Sequence, residues 1–554
     1  MWPDPAPLLD DYDAPRSRRE LLTTLARIDG WGPGAWREIF DAWQLPGVII
    51  LIRDLSSAVA IDARSAINAE ICLILEQGLP GPDSEQVAIC DWLLRYAQAH
   101  LAAASELKLA GVTPSAAMRS TNGCFLAPAT TDTAPRLHLR YQVRLPLAGM
   151  CIDAAPLRRF LSSCSRFAAS LSKRCPGLLA HRRAWRLQQA LRAQLDDHGL
   201  VAFVADGALL ARTPDDQADP AARPLKAPAA WRVTLDCGAL GQHRGLGIPR
   251  GSTALTGAPY HGKSTLLRAI LAGTENHPPG DGREGVVTIH DAAPIREDEG
   301  RAISAVNLSA YYPRLPSGNA RCFSTTTASG ATSMAASTTE QLAAGTRLLL
   351  IDEDSAAGNF LHIDPALRRL IGPSAAAART LSDGLAGLEA AGISVVLAVG
   401  ATAALVSGCR QALILKHFAP QHLHKHHAPR GAASSIPQHT VHIAAERLLH
   451  HGHTVAVDCH EIERPRAAGE QVDLRRCGWP LDAARSRGAI IAAAWCARVA
   501  NNADCDLSEL RERYVQGCRH EARRLDPYDT QLFSLPPWGL VVATLMRVPT
   551  QMPR

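Results

Sequence analysis

The sequence predicts an α/β fold in which a mainly parallel sheet forms the core, N-terminal α+β modules precede it and a C-terminal helical region follows it. Three observations predict this fold. Apolar strand-like runs alternate with helical segments from residue 230 onward, which is typical of a parallel sheet covered by helices. A glycine-rich loop separates one such strand from its helix, and the apolar run 348–351 ends at two carboxylates.

Composition indicates a globular chain of several domains. Of its 554 residues, 47% are hydrophobic and 20% are charged, which is enough to bury a sizeable core. The 14 cysteines include no C-x-x-C pair, which favours a reducing compartment over a disulfide or zinc framework. No signal-peptide pattern opens the chain and no apolar run approaches about 18 residues, so we expect a soluble, cytoplasmic protein without membrane insertion.

Changes in residue pattern divide the chain into five segments. Alanine and leucine dominate 57–110, which predicts mostly helix, whereas the alternating run 137–145 predicts a strand and 154–198 has helical periodicity. The segments are a divergent, mostly helical N-terminal region (1–125), a basic α+β module (126–228), the core (229–416), a His- and Pro-rich insertion or linker (417–465) and a C-terminal helical region (466–554).

Within the core, hydrophobic patterning predicts three helices and two buried strands. The helices are expected at 264–272, 333–344 and 381–391, and the strands at 347–351 and 394–399. Because ligands of an open α/β sheet bind beyond the carboxyl ends of its strands, we expect the functional site at that edge.

The glycine-rich loop fits the phosphate-binding pattern G-x-x-x-x-G-K-[ST]. In such a loop, backbone N–H groups and the N-terminus of the following helix cradle the phosphates. Lys263 is placed to reach the β- and γ-phosphates, and the Ser264 hydroxyl to ligate Mg²⁺. A chance match in an unrelated loop is the alternative. We predict that ATP contacts Gly257, Ala258, Pro259, Tyr260, His261, Gly262, Lys263, Ser264 and Thr265.

Two carboxylates follow the apolar run 348–351. Asp352 suits a contact to Mg²⁺, and Glu353 is placed to orient or deprotonate the attacking water. The alternative, a strand that simply ends in solvated acids, is common for this pattern taken alone. Its position after a phosphate loop favours the catalytic interpretation, in which Glu353 and Lys263 are the catalytic residues.

A Ser-Gly pair, Ser329 and Gly330, opens a helix between these two motifs. A hydroxyl, free N–H groups and the positive end of a helix dipole can together bind an anion, although a simple N-cap gives the same pattern. The spacing favours the anion site, because Ser329 precedes Asp352 by 23 residues with one helix and one strand between them.

This order of motifs resembles the ABC-type ATPases, and in detail their soluble branch, the predicted ATPases of the ABC class. The resemblance is strong over about 190–400 and fainter over 136–190 and 470–550. The matching stretches are Arg27–Gly30, GLVAFVADGALL (199–210), GLGIPRG (245–251), YHGKSTLL (260–267), HPPGDGRE (277–284), FSTTTASGATS (323–333) and LLLIDEDSAAGNF (348–360).

The resemblance implies an ABC-ATPase-like P-loop NTPase core that binds and hydrolyses MgATP in a head-to-tail homodimer. Ser329 and Gly330 of one copy would contact the γ-phosphate bound at Lys263 of the other, and 354–359 would occupy the D-loop position at that interface. A single phosphate loop in this chain is consistent with a homodimer rather than an internal pair of sites.

Two residues expected of an ABC motor are missing. No glutamine lies between Thr265 and Ser329, and Gly400–Thr402 replaces the switch histidine after the strand 394–399. These departures suggest slow or partner-dependent turnover. A polar cluster could replace the Q-loop or be a solvated turn; its members are His277, Asp281, Arg283 and Glu284.

The segment 136–192 is strongly basic, with 12 arginines and lysines against the single acid Asp153. Such a segment can neutralise the phosphates of RNA or another polyanion, or it can be the solvated face of arginine-rich helices. Its aromatic residues could add stacking surfaces for bases; they are Tyr141, Phe160, Phe167 and Trp185. The alternative function is therefore an ATP-gated RNA-binding protein with little or no turnover.

Eleven of the 21 histidines fall in 417–460, including His422, His424, His426 and His427. Clustered imidazoles can bind a metal, but without accompanying cysteines or helix-spaced glutamates a solvated insertion is favoured. Trp231, an aromatic upstream of the phosphate loop, is expected to belong to the core rather than to contact adenine.

Overall fold

The computed structural model describes residues 14–55, 67–75, 83–102, 105–127, 136–171, 175, 177–315, 318–372, 378–423, 441–442, 449–450, 453–454, 457–467, 470–500, 504–518, 525 and 531–548. The chain divides into two compact units, of which the first comprises 1–183, 483–491 and 516–535 and the second comprises the remainder. None of the helices in the described ranges is both long and apolar enough to cross a membrane.

The first unit contains a seven-stranded sheet of order β1-β2-β3-β4-β7-β5, with β6 also paired to β7. All its pairings are antiparallel except that of β1 with β2. The strands are β1 (Arg16–Ser17), β2 (Ala42–Leu45), β3 (Val48–Asp54), β4 (Asn68–Leu75), β5 (Leu109–Ala110), β6 (Cys124–Ala127), β7 (Arg136–Arg144) and a separate hairpin, β8 (Leu147–Ala148) with β9 (Cys151–Ile152).

In the described ranges, helices accompany these strands in the chain, and the first of them begins with a capping box in which Ser17 and Glu20 satisfy each other's backbone N–H groups. One face of the sheet and the first three helices bury a common apolar core that includes Trp36 and Trp43. The helices are α1 (Arg18–Ile28), α2 (Gln86–Ala97), α3 (Ala155–Leu171) and α4 (Leu178–Ala193).

The mostly helical region predicted before residue 125 also contains strands that were not expected, since β3 and β4 form the centre of this sheet. In β3, Ile50 and Ile52 face the large core, whereas Ile49 and Leu51 face a second apolar cluster. Burial on both faces removes the alternation that identifies a strand, and a continuous apolar run then resembles a buried helix. The pairing of β6 with β7 places residues from both sides of the predicted boundary at 125 in one sheet.

The two largest sheets of the second unit, among the described residues, contain four and six strands. The smaller is antiparallel, of order β11-β12-β10-β14, and the larger has the order β15-β18-β19-β13-β20-β21 and is parallel except for its last pair. The strands are β10 (Leu200–Ala205), β11 (Arg232–Asp236), β12 (Gln242–Pro249), β13 (Ser252–Thr256), β14 (Val286–Thr288), β15 (Ala292–Ile295), β18 (Leu348–Asp352), β19 (Ser394–Val399), β20 (Gln411–Lys416) and β21 (Ala419–His422), with a hairpin of β16 (Ile303–Val306) and β17 (Phe323–Thr325).

The remaining elements are helices of the core, short strand pairs and the C-terminal helices. The core helices are α5 (Lys263–Ala272), α6 (Gly330–Ala343), α7 (Gly358–Leu361), α8 (Pro365–Ile371), α9 (Leu381–Ala390) and α10 (Ala403–Gly408). The later elements are β22 (Val441–His442), β23 (Leu449–His450), β24 (His453–Thr454), β25 (Val457–Asp458), β26 (Arg466–Ala467), β27 (Glu470–Gln471), α11 (Ala483–Ala500), β28 (Asp504–Cys505), α12 (Leu507–Cys518) and α13 (Trp538–Leu545).

The parallel sheet places three loops side by side at the carboxyl ends of its strands. Strand β19 lies between β18 and β13, with Asp352 opposite Ala398 and Thr256 opposite Val399. The next residues of the three strands therefore emerge together at one edge. Every predicted core helix and strand is present within three residues of its expected ends.

Candidate nucleotide-binding site

The glycine-rich loop connects β13 to α5 in the way the motif predicts. Its turn depends on positive φ angles of 139° at Gly257, 61° at Tyr260 and 97° at Gly262. At Gly257 a side chain would overlap the Leu415 carbonyl oxygen, so only glycine fits there. Tyr260 is 95% exposed.

Lys263 is the first residue of α5, and its side chain turns back over the loop. The Nζ atom donates to the carbonyl oxygens of Gly257 (2.9 Å) and Ala258 (3.1 Å), which leaves the lysine only 8% exposed. In the described structure these two carbonyl oxygens are the hydrogen-bond acceptors of the ammonium, and its own loop contains no carboxylate. A phosphate group beside Nζ would add a negative charge and a charge-assisted hydrogen bond.

Glu353 follows β18, and its carboxylate is held by the loop that follows β19. It accepts hydrogen bonds from Gly400 N (2.5 Å), Ala401 N (2.8 Å) and Thr402 Oγ1 (2.6 Å). Burial raises the pKa of Glu353, but these three hydrogen bonds and nearby Lys263 outweigh burial and hold the pKa below its usual value. The carboxylate is therefore ionised at neutral pH and has a defined orientation.

Ser264 and Asp352 line the same cavity, which has a volume of about 310 Å³. Arg268, Arg296 and Asp354 also line it. A hydroxyl and a carboxylate on one wall are oxygen donors of the kind that Mg²⁺ accepts, and the arginines add charge complementary to phosphate. The residues present thus fit a magnesium–nucleotide complex.

Ser329 is the N-cap of α6, where its Oγ accepts from Thr332 N at 3.4 Å and lies 2.9 Å from Thr332 Oγ1. Gly330 is buried under the side chain of Glu297, which any Cβ at that position would overlap. Ser329 itself is exposed, and within the described part of the chain no hydrogen bond connects it to the phosphate loop. The structure brings Lys263, Ser264, Asp352 and Glu353 together, but not Ser329.

Comparison with known proteins identifies this part of the chain. The P-loop domain of the ABC-ATPase family model matches residues 176–448. These residues are the P-loop domain of an ABC-class ATPase. The ABC-class domain includes the phosphate loop, both carboxylates and Ser329, and it confirms the predicted α/β fold with a P-loop core.

A curated relative adds sequence similarity without a function. An uncharacterized protein of Methanocaldococcus jannaschii is 32% identical to this chain over 189 residues. The aligned region is 31% of this chain and 41% of the relative, so the chain spans less than half of the relative's length. The match to the ABC class indicates a nucleotide-binding P-loop domain at residues 176–448.

The polar cluster that could replace the Q-loop or be a solvated turn includes three residues with buried polar contacts in the described structure. His277 Nδ1 lies 2.9 Å from Asp281 Oδ2, and Arg212 Nη2 donates to the same oxygen at 2.6 Å. Arg283 donates to the carbonyl oxygen of Leu210. The network ties the segment after β10 to the segment after α5, which indicates that its role is structural.

The proposed stacking residues of the basic segment are not available to bases, and this prediction was wrong. Tyr141, Phe160, Phe167 and Trp185 are all between 2% and 8% exposed because they pack in the apolar interior. Arg140 is also fully buried, paired with Glu70. The exposed arginines of the described segment are Arg144, Arg159, Arg166, Arg183 and Arg186.

The described residues do not support a metal site among the histidines. In these ranges no group of three or more His, Cys, Asp or Glu side chains is arranged to hold a metal. His422 Nδ1 instead accepts a hydrogen bond from Trp231 Nε1 at 2.9 Å, and Trp231 is buried as expected. His424, His426 and His427 lie outside the described residues.

Three residues near the site were missed by sequence reasoning. Thr402 holds Glu353, Glu297 covers Gly330, and Phe418 packs against Gly262. Gly400–Thr402 stands where a switch histidine is expected, but nothing in the local sequence pattern indicates that these residues donate hydrogen bonds to Glu353. Phe418 falls in a stretch that was assigned to an insertion.

Proposed function

We propose that this protein is a Mg²⁺-dependent ATPase in which Lys263 binds the β- and γ-phosphates and Glu353 activates the attacking water. One observation carries this proposal: Glu353, Gly400 and Lys263 meet at the carboxyl end of the parallel sheet. A side chain on Gly400 would begin 3.7 Å from Lys263 Nζ and 3.9 Å from Glu353 Oε2. An ionised base and a phosphate-binding cation thus lie on the same small surface.

The remaining roles follow from the same geometry. Ser264 and Asp352 would hold Mg²⁺, directly or through water, in the cavity that they share. The metal, when bound, neutralises charge on the phosphates. The backbone N–H groups from Gly257 to Thr265 would bind phosphate oxygens, supported by the N-terminus of α5.

A second copy of the chain would complete the site. Ser329 is exposed at the N-terminus of α6, a helix of 14 residues, and it is not connected to the chain's own phosphate loop in the described structure. In a head-to-tail dimer, Ser329 and Gly330 of one copy would bind the γ-phosphate held by Lys263 of the other. The D-loop segment 354–359 would lie at the same interface, near Glu297, whose N–H donates to Ser355 O at 2.9 Å.

The test is the Glu353→Gln variant, which removes the base while keeping its size. Phosphate release should fall by roughly 10²–10⁴-fold, whereas the affinity for MgATP should be retained. The matched control is Glu509→Gln, which changes an exposed glutamate on α12. Unchanged phosphate release in Glu353→Gln would remove Glu353 from the mechanism.

The dimer is tested with the same variant. Slow turnover should trap ATP, so the molar mass measured by light scattering should double when MgATP is added to Glu353→Gln. The double variant Glu353→Gln with Ser329→Arg should stay monomeric while it still binds ATP. Dimerisation that persists in the double variant would contradict the shared site.

Binding of RNA or another polyanion is the second candidate function. It is supported by the five exposed arginines of 136–192 and weakened by the burial of the aromatics there. If this surface binds RNA, the double variant Arg144→Gln with Arg166→Gln should lower the slope of log K against log salt concentration by about one unit per arginine. Arg513→Gln on α12 is the control, and an unaltered slope would dismiss the segment as the binding surface.

A further inference from the structure

The turn between β20 and β21 holds two large side chains in a backbone conformation that favours glycine. His417 and Phe418 have φ angles of 49° and 67°, and they are the only two residues between the paired ends Lys416 and Ala419. Two-residue turns with positive φ at both positions favour Asn-Gly, because bulky side chains are strained there. Such strain is typical of residues retained for a function.

The strained turn is attached to the phosphate loop. Phe418 N donates to the His261 carbonyl oxygen at 3.2 Å, and the rings of His261 and His417 lie 4.7 Å apart. Gly262 packs so closely against Phe418 that a Cβ there would lie 2.8 Å from Phe418 Cδ1. The aromatic ring thus has a defined position beside the phosphate loop although it is 48% exposed.

Phe418 is one wall of a cavity of about 330 Å³, distinct from the cavity that Ser264 and Asp352 share. Gly262 and Thr265 also line it, so it adjoins the junction of the phosphate loop and α5. The other walls are mostly apolar, with a carboxylate and a guanidinium among them. They are formed by Leu210, Ala211, Asp219, Ala221, Ala222, Arg223, Leu225, Leu266 and Leu415.

The far wall of this cavity is held by the buried network of Arg212, Asp281 and His277. Arg212 donates to both the side chain and the main chain of Asp281, at 2.6 and 2.9 Å, and Leu209 N donates to Gly282 O at 2.8 Å. These bonds hold in place the residues around Leu210, which line the cavity together with Phe418. Both walls therefore have positions defined by contacts outside the cavity, which is the property of a preformed binding site.

We propose that this cavity holds the base of the nucleotide whose phosphates bind at Lys263, with the Phe418 ring stacked on a purine. The inference rests on the proposed nucleotide binding and assigns the base to one side of the loop. An apolar slot with one aromatic wall favours the larger ring surface of a purine over a pyrimidine. Asp219 Oδ1 accepts a hydrogen bond from Ala221 N at 2.8 Å, and the second carboxylate oxygen could accept one from an exocyclic amino group of the base.

The experiment compares ATP, CTP and inorganic tripolyphosphate as ligands of the full chain by calorimetry. Phe418→Ala should weaken ATP binding by roughly 5- to 150-fold, the range for loss of one stacked base, and should leave tripolyphosphate binding unchanged. Phe418→Trp should retain ATP affinity. The preference of the wild-type protein for ATP over CTP should narrow in Phe418→Ala.

A second variant separates stacking from folding. His417→Asn combined with Phe418→Gly supplies the residues that the turn prefers, so it should raise the melting temperature while weakening ATP binding. A structural role alone would not move stability and affinity in opposite directions. If Phe418→Ala and the double variant bind ATP as the wild-type protein does, the base lies elsewhere.

Failure of the proposed nucleotide site gives a different result. In that case the wild-type protein would bind neither ATP nor tripolyphosphate, or Lys263→Ala would leave both affinities unaltered. Loss of ATP affinity with intact tripolyphosphate binding is the pattern that only the base cavity predicts. Equal loss of both ligands in Phe418→Ala would instead show that the ring supports the phosphate loop, and would overturn the stacking role.

Discussion

The hydrogen bond from Thr402 to Glu353 can be removed with little change in shape. Thr402→Val deletes the Oγ1 donor that lies 2.6 Å from Glu353 Oε1 and keeps the branched Cβ, while Gly400 N and Ala401 N still bind Oε2. The carboxylate then keeps one oriented oxygen and loses the partner of the other. We expect slower hydrolysis because the base is less well oriented toward the attacking water.

The expected decrease in the hydrolysis rate follows from the type of hydrogen bond that is lost. A hydrogen bond to a charged group contributes about 1.5–3 kcal/mol, and because two donors remain we take the lower value. About 1.5 kcal/mol corresponds to roughly a tenfold decrease in kcat. Loss of one of the hydrogen bonds that lower the pKa of Glu353 also raises that pKa, so the acid limb of the pH–rate profile should move to higher pH.

The assay is phosphate release at saturating MgATP over a range of pH, with ATP affinity measured in parallel. Thr402→Ser is the matched control, because it restores a hydroxyl at the same position and should retain most of the rate and the wild-type profile. Thr402→Val should not change ATP affinity. An unchanged or faster rate in Thr402→Val, or an equal defect in Thr402→Ser, would refute the orienting role.

Three further predictions concern other contacts. Glu70 is fully buried between Arg140 and Arg53, so Glu70→Gln should lower the free energy of unfolding by about 3–5 kcal/mol in urea titrations; a loss below about 1 kcal/mol would contradict the pairing. Burial raises the pKa of Glu70, but the two arginines outweigh burial and lower that pKa. The stability that ionised Glu70 supplies is therefore present above its unfolded pKa and is lost as the pH falls through its folded pKa. In Glu70→Gln the free energy of unfolding should depend less on pH in acid. Gly257→Ala would place a side chain on a residue with φ of 139° and overlap the Leu415 carbonyl oxygen. It should lower the free energy of unfolding by about 1–3 kcal/mol and abolish ATP binding, and wild-type ATP affinity would contradict this. Gly330→Ala overlaps Glu297 and should block ATP-dependent dimerisation without affecting ATP binding by the monomer, as light scattering and calorimetry can show.

The phosphate loop and the core elements were predictable because their signals are local. A glycine pattern, a lysine and a hydroxyl in eight consecutive residues indicate one backbone geometry, and the structure has that geometry between β13 and α5. The strand Ser394–Val399 was predicted with its observed ends, since an apolar run between a glycine before it and a glycine after it has few alternatives.

The first unit was less predictable for the opposite reason. Strands β3 and β4 bury both faces, with Ile50 and Ile49 in different apolar clusters, so their sequence lacks the period of two. The basic segment was misjudged in the same way. Its aromatics lie on helices and strands whose apolar sides face the core, and the arginines between them conceal that pattern.

The sequence by itself determined the phosphate loop, the two carboxylates after β18 and the Ser-Gly pair at α6, because each is a short run of neighbouring residues. Tertiary structure alone decided that Thr402 holds Glu353, 49 positions earlier in the chain, and that Phe418 lies against Gly262. Both contacts depend on which strands are adjacent and in what register, with β19 beside β18 and β20 beside β13. Strand adjacency is a property of the assembled sheet, so no local pattern of residues encodes it.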